Sequence, residues 1–207
     1  MAIVKRSESA TVDHEERRRP RDLDGLTAEL DDTNPVARRW AAHDLAPFGE
    51  AAPALIERLA DELDATVREA ILISLTEIGS AIAVQGLVNC LRSEDVALRN
   101  EAIEAMKRLP EAVAPIMAGL LADPDPDVRI FAVNVLESLR HPDVERWLIG
   151  VIGDDAHVNV CATAVDLLGE VGSAAAITQL EALKHRFPGE PYIQFAADLA
   201  LRRIRED

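Results

Sequence analysis

Apolar positions in this chain recur on two nested periods. The inner one is helical, with apolar residues three and four apart. The outer one is a repeat of about thirty residues. The strings "DTNPVARRWAAHDL" and "DPDPDVRIFAVNVL" are two copies of it. Anchored on an arginine, the copies fall at Arg38, Arg68, Arg99 and Arg129, spaced 30, 31 and 30 apart, and the frame continues to Cys161 and Gln194. One residue before the anchor stand Ala37, Val67, Leu98, Val128, Val160 and Ile193. Three after it stand Ala41, Ile71, Ala102, Ala132, Ala164 and Ala197. Seven after it stand Leu45, Leu75, Met106, Leu136, Leu168 and Leu201. Ten after it stand Phe48, Ile78, Leu109, Leu139, Val171 and Ile204. These offsets mark one stripe of an α-helix, so six helices with a shared buried face are predicted.

The boundary signals agree. Asn34, Asp64, Asp95, Asp125, His157 and Glu190 precede the stripe, and Asn or Asp there can accept from the free amides of a first turn. Pro35, Pro126 and Pro191 follow at the first helical position. Gly49, Gly79 and Gly172, with Pro110 in the third copy, mark the ends. Each copy thus holds a helix of about 14 residues. Between copies lie shorter apolar segments, from "LDGLTAELDD" through "APALIERLADEL", "AVQGLVNCLRS", "VAPIMAGLLAD" and "VERWLIGVIGDD" to "AITQLEALKHRF". Each reads as a first helix to the second helix of its copy. Connections of two to five residues require antiparallel neighbours. The fold class expected is all-α, an α-solenoid superhelix of about six antiparallel helix pairs, each leaning on the next.

The copies "DTNPVARRWAAHDLAPFG", "DATVREAILISLTEIG" and "DPDPDVRIFAVNVL" resemble HEAT repeats of the short phycobilisome-lyase-like type, over about residues 22–207. The resemblance implies a ladder in which an acid before the second helix meets the anchor arginine of a neighbouring repeat. The ladder positions here are Asp32, Arg38, Glu62, Arg68, Arg99, Asp123 and Arg129, with Asp155 also in register and Ser93 in place of the third acid. Cys161 and Gln194 depart from the pattern, so the ladder is expected to fail towards the C-terminus.

Composition narrows the function. The 207 residues carry 37 acidic and 22 basic side chains, a net charge of -15. The first 21 residues are polar, without period, and hold six basic and four acidic side chains. They read as a disordered charged tail, with Arg17, Arg18, Arg19 and Arg21 as a solvated lead-in. The remainder is strongly acidic and repels phosphate backbones, which argues against nucleic acid. No run of about 18 apolar residues is present, so no membrane span is expected. The start lacks an apolar signal core, and a cytoplasmic location follows by elimination. Cys90 and Cys161 lie in apolar helical patterns and read as core thiols in a reducing compartment.

No catalytic constellation emerges. The five histidines, His14, His43, His141, His157 and His185, include no pair three or four apart on one helix, so no metal is expected. His141 and His157 are expected at exposed turns. No phosphate-binding or nucleophile-elbow motif occurs, and no cofactor is called for. The resemblance also implies an alternative, a bilin (tetrapyrrole) lyase or lyase accessory subunit.

What remains is surface. In a solenoid of this kind the second helices line the concave face. The side opposite the stripe is largely polar but includes Trp40, His43, Ile73, Ile130, Phe131 and Asn134. Aromatic anchors ringed by charge are the usual make-up of a protein-binding hot spot. The competing expectation is that Trp40 and Phe131 turn inward as core, and that Phe195 and Leu199 merely close the last repeat. The reading is a non-catalytic protein-interaction scaffold within a regulatory or assembly complex. Its concave groove would take a helix or basic segment of another protein, without nucleic acid or membrane.

Overall fold

The computed structural model describes residues 21–206. The predicted tail therefore lies outside the described residues, except for Arg21. The described residues form twelve α-helices and two short 3-10 turns, with no strand among them. In chain order the helices are α1 (Leu23–Glu29), α2 (Pro35–Asp44), α3 (Ala52–Asp61), α4 (Ala65–Ile78), α5 (Ala81–Cys90) and α6 (Val96–Lys107). They continue as α7 (Pro110–Leu121), α8 (Pro126–Leu136), α9 (Val144–Asp154), α10 (Val158–Val171), α11 (Ile177–Arg186) and α12 (Pro191–Glu206). The fold class is the expected all-α solenoid. Odd-numbered helices are the predicted first helices, and even-numbered ones the second.

The second helices begin where the caps place them. Asn34, Asp64, Asp95 and Asp125 each accept a hydrogen bond from an amide of the following turn. His157 holds the same position without a side-chain cap bond. The ends follow the predicted signals less closely. Gly79 closes α4 at φ 55, a left-handed conformation that costs glycine little. Gly172 ends α10 in an extended conformation, and a Cβ there would collide with the Leu168 carbonyl oxygen. Gly49 opens a 3-10 turn instead of ending α2, which stops at Asp44. Pro110 starts α7, and α6 has already ended at Lys107.

The chain divides into two compact units between Ala83 and Val84. In the first, α2 packs on α1 and α4, and α3 on α4. In the second, α8 packs on α6 and α10, α10 on α12, and α9 on α11, with the first helices α7, α9 and α11 against α8, α10 and α12. Three of the four stripe positions form the core in every copy. The residue three after the anchor is 0% exposed in all six copies, and in five of them it is alanine. A methyl side chain there lets neighbouring second helices approach closely. The fourth position does not hold. Of the residues ten after the anchor only Leu139 is buried, and Val171 is 43% exposed. By then most second helices have ended or reached their last turn, so the spacing no longer sets direction.

Two rungs of the ladder form, each within one unit. Arg38 donates through Nε and Nη2 to both carboxylate oxygens of Glu62, at 2.7 and 2.8 Å, and through Nη1 to the Asp32 carbonyl at 2.8 Å. Arg129 repeats the fork on Asp155 at 2.7 and 3.0 Å, with Nη1 on the Asp123 carbonyl at 2.8 Å. The acid before each helix has a second task, accepting an amide two residues on: Asp32 from Asn34, Glu62 from Asp64, Asp123 from Asp125 and Asp155 from His157. Ser93 does the same for Asp95 with its hydroxyl.

The expected rung between Arg99 and Asp123 is absent. Arg99 keeps its bond to the Ser93 carbonyl, but its guanidinium lies 5.4 Å over the Phe131 ring. Asp123 is held by Arg92 instead. Arg68 occupies the matching place in α4 and is half-buried. Arg21 anchors the first pair through Glu29, at 3.1 Å, and Asp44.

Candidate functional site

Burial of the stripe determines what each second helix leaves outside. In the first unit, α2 presents Trp40, 36% exposed, and the exposed His43. Their ring centroids are 6.2 Å apart, and the Arg39 guanidinium lies 5.5 Å from the Trp40 centroid. Ile73 is half-buried on α4, between exposed Glu69 and Glu77. In the second unit Ile130, Phe131 and Asn134 are half-buried on α8. None of these six belongs to the core. Trp40 stands on the surface, and Phe131 is half-covered, partly by Arg99.

The second unit has a shallow cleft of about 190 Å³ between α8 and α10. Val133 and Leu167 lie at its base and are buried, while Glu137, Asp166 and Glu170 stand at its rim. Lys107 bridges Glu104 and Glu137 at 2.8 and 2.7 Å, joining α6 to the turn after α8. On the far side Tyr192 of α12 donates its hydroxyl to Asp166 at 2.6 Å. Tyr192 is 53% and Phe195 61% exposed. Sequence reasoning passed over Tyr192. Its signal was its place three residues before Phe195 on the same helix face.

A larger cleft, about 570 Å³, opens on the side of the first helices, lined by Trp147, Arg146, Arg129, Asp123 and Asp155 among others. His141 stacks on Trp147 at 5.0 Å, and its Nδ1 accepts the Asp143 amide at 3.2 Å. His141 and His157 are both half-buried, not exposed as expected. The turn that carries His141 lays its ring on Trp147 of the following helix.

Burial pushes the Glu62 and Asp155 carboxyls up, but the arginine forks and the amides of Asp64 and His157 outweigh it and hold both below the usual range. Burial raises the Cys90 thiol to about 11. Burial and the Asp155 charge raise Cys161 against the pull of Arg186 and Arg129. Both thiols are free and buried. Among the described residues no group of three or more His, Cys, Asp or Glu is arranged to hold a metal ion. No described helix is long and apolar enough to cross a membrane.

The HEAT repeats family matches residues 23–107 and 113–205. The chain belongs to the HEAT-repeat family. Similar solved structures include an archaeal HEAT-like repeats protein from Thermococcus onnurineus NA1, 15% identical, with 96% of this chain and 92% of that one covered at a TM-score of 0.48. Human deoxyhypusine hydroxylase in complex with glycerol is 17% identical, covering 98% and 92%, with a TM-score of 0.47. The complex of CpcE and CpcF of phycocyanin lyase from Nostoc sp. PCC7120 is 19% identical, covering 99% and 100%, with a TM-score of 0.38. No curated protein matches the sequence.

Proposed function

We propose that the chain is a non-catalytic interaction module that holds a partner protein on the exposed faces of its second helices. One observation carries this reading: large apolar rings stand on those faces, Trp40 in the first unit and Phe195 in the second, 36% and 61% exposed. Fully burying a large apolar side chain is worth about 1.5–3 kcal/mol, and a partner that covers these rings gains the share that their exposed parts leave unused. The partner is another protein. The net charge of -15 opposes nucleic acid. A cytoplasmic setting fits two thiols that stay free.

A tetrapyrrole lyase or lyase accessory is the competing activity. A lyase that held the tetrapyrrole on its own cysteine would need an accessible thiolate, and the thiols of Cys90 and Cys161 are buried with raised pKa values. A visible absorption band on purified protein would favour that activity over the scaffold.

The test is capture of partners from the native host with the parent protein, Trp40→Ala and Phe131→Ala, beside thermal unfolding of each. The expected result is one partner depleted from the variants at an almost unchanged melting temperature. Early melting with normal partner recovery would return these rings to a structural role, and would move the partner site to the first-helix side, where the Trp147 cleft lies.

A further inference from the structure

The face of the second unit has its own chemistry. The base of the α8–α10 cleft is apolar, from Val133 and Leu167, and its rim is acidic. Glu170 has no hydrogen-bond partner among the described residues, and Glu137 shares the single ammonium of Lys107 with Glu104. Beside the rim, Tyr192 and Phe195, each more than half exposed, extend an aromatic surface.

That combination fits an amphipathic cation. A lysine or arginine side chain lays its methylene stem on apolar surface and keeps its charged head among polar groups. A carboxylate facing a desolvated ammonium or guanidinium makes a short, strong hydrogen bond. We infer that the cleft bounded by Glu137, Asp166 and Glu170 seats a lysine or arginine of a partner protein segment, whose neighbouring apolar residues lie on Tyr192 and Phe195. This rests on the docking function proposed above and names the partner's chemistry. Charge complementarity selects a basic segment. Residues 84–207 carry 20 acidic and 12 basic side chains, so a second copy of the chain would meet like charge at this face. Tyr192 holds Asp166 in place, which lowers the ordering cost of binding.

The experiment selects a displayed library of random linear peptides on the full-length protein. It then measures the recovered peptides by fluorescence anisotropy at low and high salt against the parent, Glu137→Gln/Glu170→Gln and Phe195→Ala. All three residues are at the surface, and circular dichroism verifies the fold of each variant. Recovered peptides are expected to place Lys or Arg beside apolar residues. The double amide variant should weaken them at least tenfold and flatten their salt dependence, and Phe195→Ala should weaken them at any salt. Peptides without basic residues, or binding indifferent to the amide variant, would overturn the inference. If Phe195→Ala still weakens binding in that case, docking on the second-helix faces stands and only the basic partner is lost. Recovery of no peptide, or binding indifferent to every variant, overturns both.

Discussion

The Arg186 guanidinium lies 3.3 Å from the Cys161 sulfur, and both side chains bond the Asp155 carbonyl oxygen, at 2.9 and 3.2 Å. In the earlier copies an anchor arginine makes that bond from within the repeat: Arg38 to Asp32, Arg99 to Ser93 and Arg129 to Asp123. Where Cys161 removes the arginine, the next repeat supplies one from α11. Arg186 also donates to the Ile152 carbonyl at 2.9 Å, and so ties the end of α9 to α11. Gln194 replaces the final arginine with bonds to the Lys184 and Phe187 carbonyls at 2.9 and 3.0 Å. The arginine–acid ladder stops, but the loop carbonyls stay bonded. Arg186→Ala should lower unfolding stability by about 1–3 kcal/mol, the cost of unpaired carbonyls and a lost charged donor. Hydrogen exchange should quicken in α11 and α12 before α6, because stability in a repeat array is local. Uniform quickening would contradict a local clamp.

The two intact rungs should dominate over surface ion pairs. The Asp155 side chain is 6% exposed and that of Arg129 16%. Removing Arg129 strands a nearly buried carboxylate, so Arg129→Ala is expected to cost about 2–3 kcal/mol. Arg92 pairs with Asp123, but its side chain is 51% exposed. Arg92→Ala should cost less than about 1 kcal/mol. Urea unfolding of the two variants side by side measures the contrast.

Acid should remove the rungs. The folded carboxyls of Glu62 and Asp155 titrate below their usual range. The unfolded chain therefore binds protons first as pH falls, from near the ordinary values of about 4.3 and 3.9. The stabilisation is complete above about pH 5 and declines as pH drops towards the folded values. Urea midpoints taken from pH 7 down to pH 3 should show this decline. It should be shallower in Glu62→Gln/Asp155→Asn, which starts less stable at pH 7. Parallel curves for parent and variant would show that other carboxylates govern the acid limb.

Thiol chemistry offers a separate check. With Cys90 raised to about 11 and buried, its thiolate is scarce at pH 8. Iodoacetamide should label the native protein slowly at both cysteines, at rates that rise with urea as the helices open. Rapid labelling of Cys90 in the native state would place it at the surface.

Stability should separate the surface rings from the core. Leu75 is 0% exposed, and Leu75→Ala is expected to cost about 2–5 kcal/mol through the cavity it leaves. Trp40→Ala should cost about 1 kcal/mol or less, because its ring already meets solvent. Equal losses would mean that the Trp40 face is packed in solution.

The inward stripe one before, three after and seven after each anchor was legible without a structure, from Ala37 through Leu201. So were the capping roles of Asn34, Asp64, Asp95 and Asp125 and the end of α4 at Gly79. These depend on geometry within one helical turn, where residue type and spacing leave little choice. Tertiary structure decided what lies between turns. Arg99 had a carboxylate in register at Asp123, yet Arg92 holds that carboxylate and Arg99 covers Phe131. Arg186 reaches Asp155 across 31 residues of chain, beyond any local period. Trp40 and Phe131 share a helical offset, but one is exposed and the other half-covered, because neighbouring side chains set their exposure. Tyr192 became visible only when its hydroxyl met Asp166, 26 residues earlier. A repeat sets the direction of each side chain from its own helix axis, and the packing of the neighbouring repeat then determines which partner it meets.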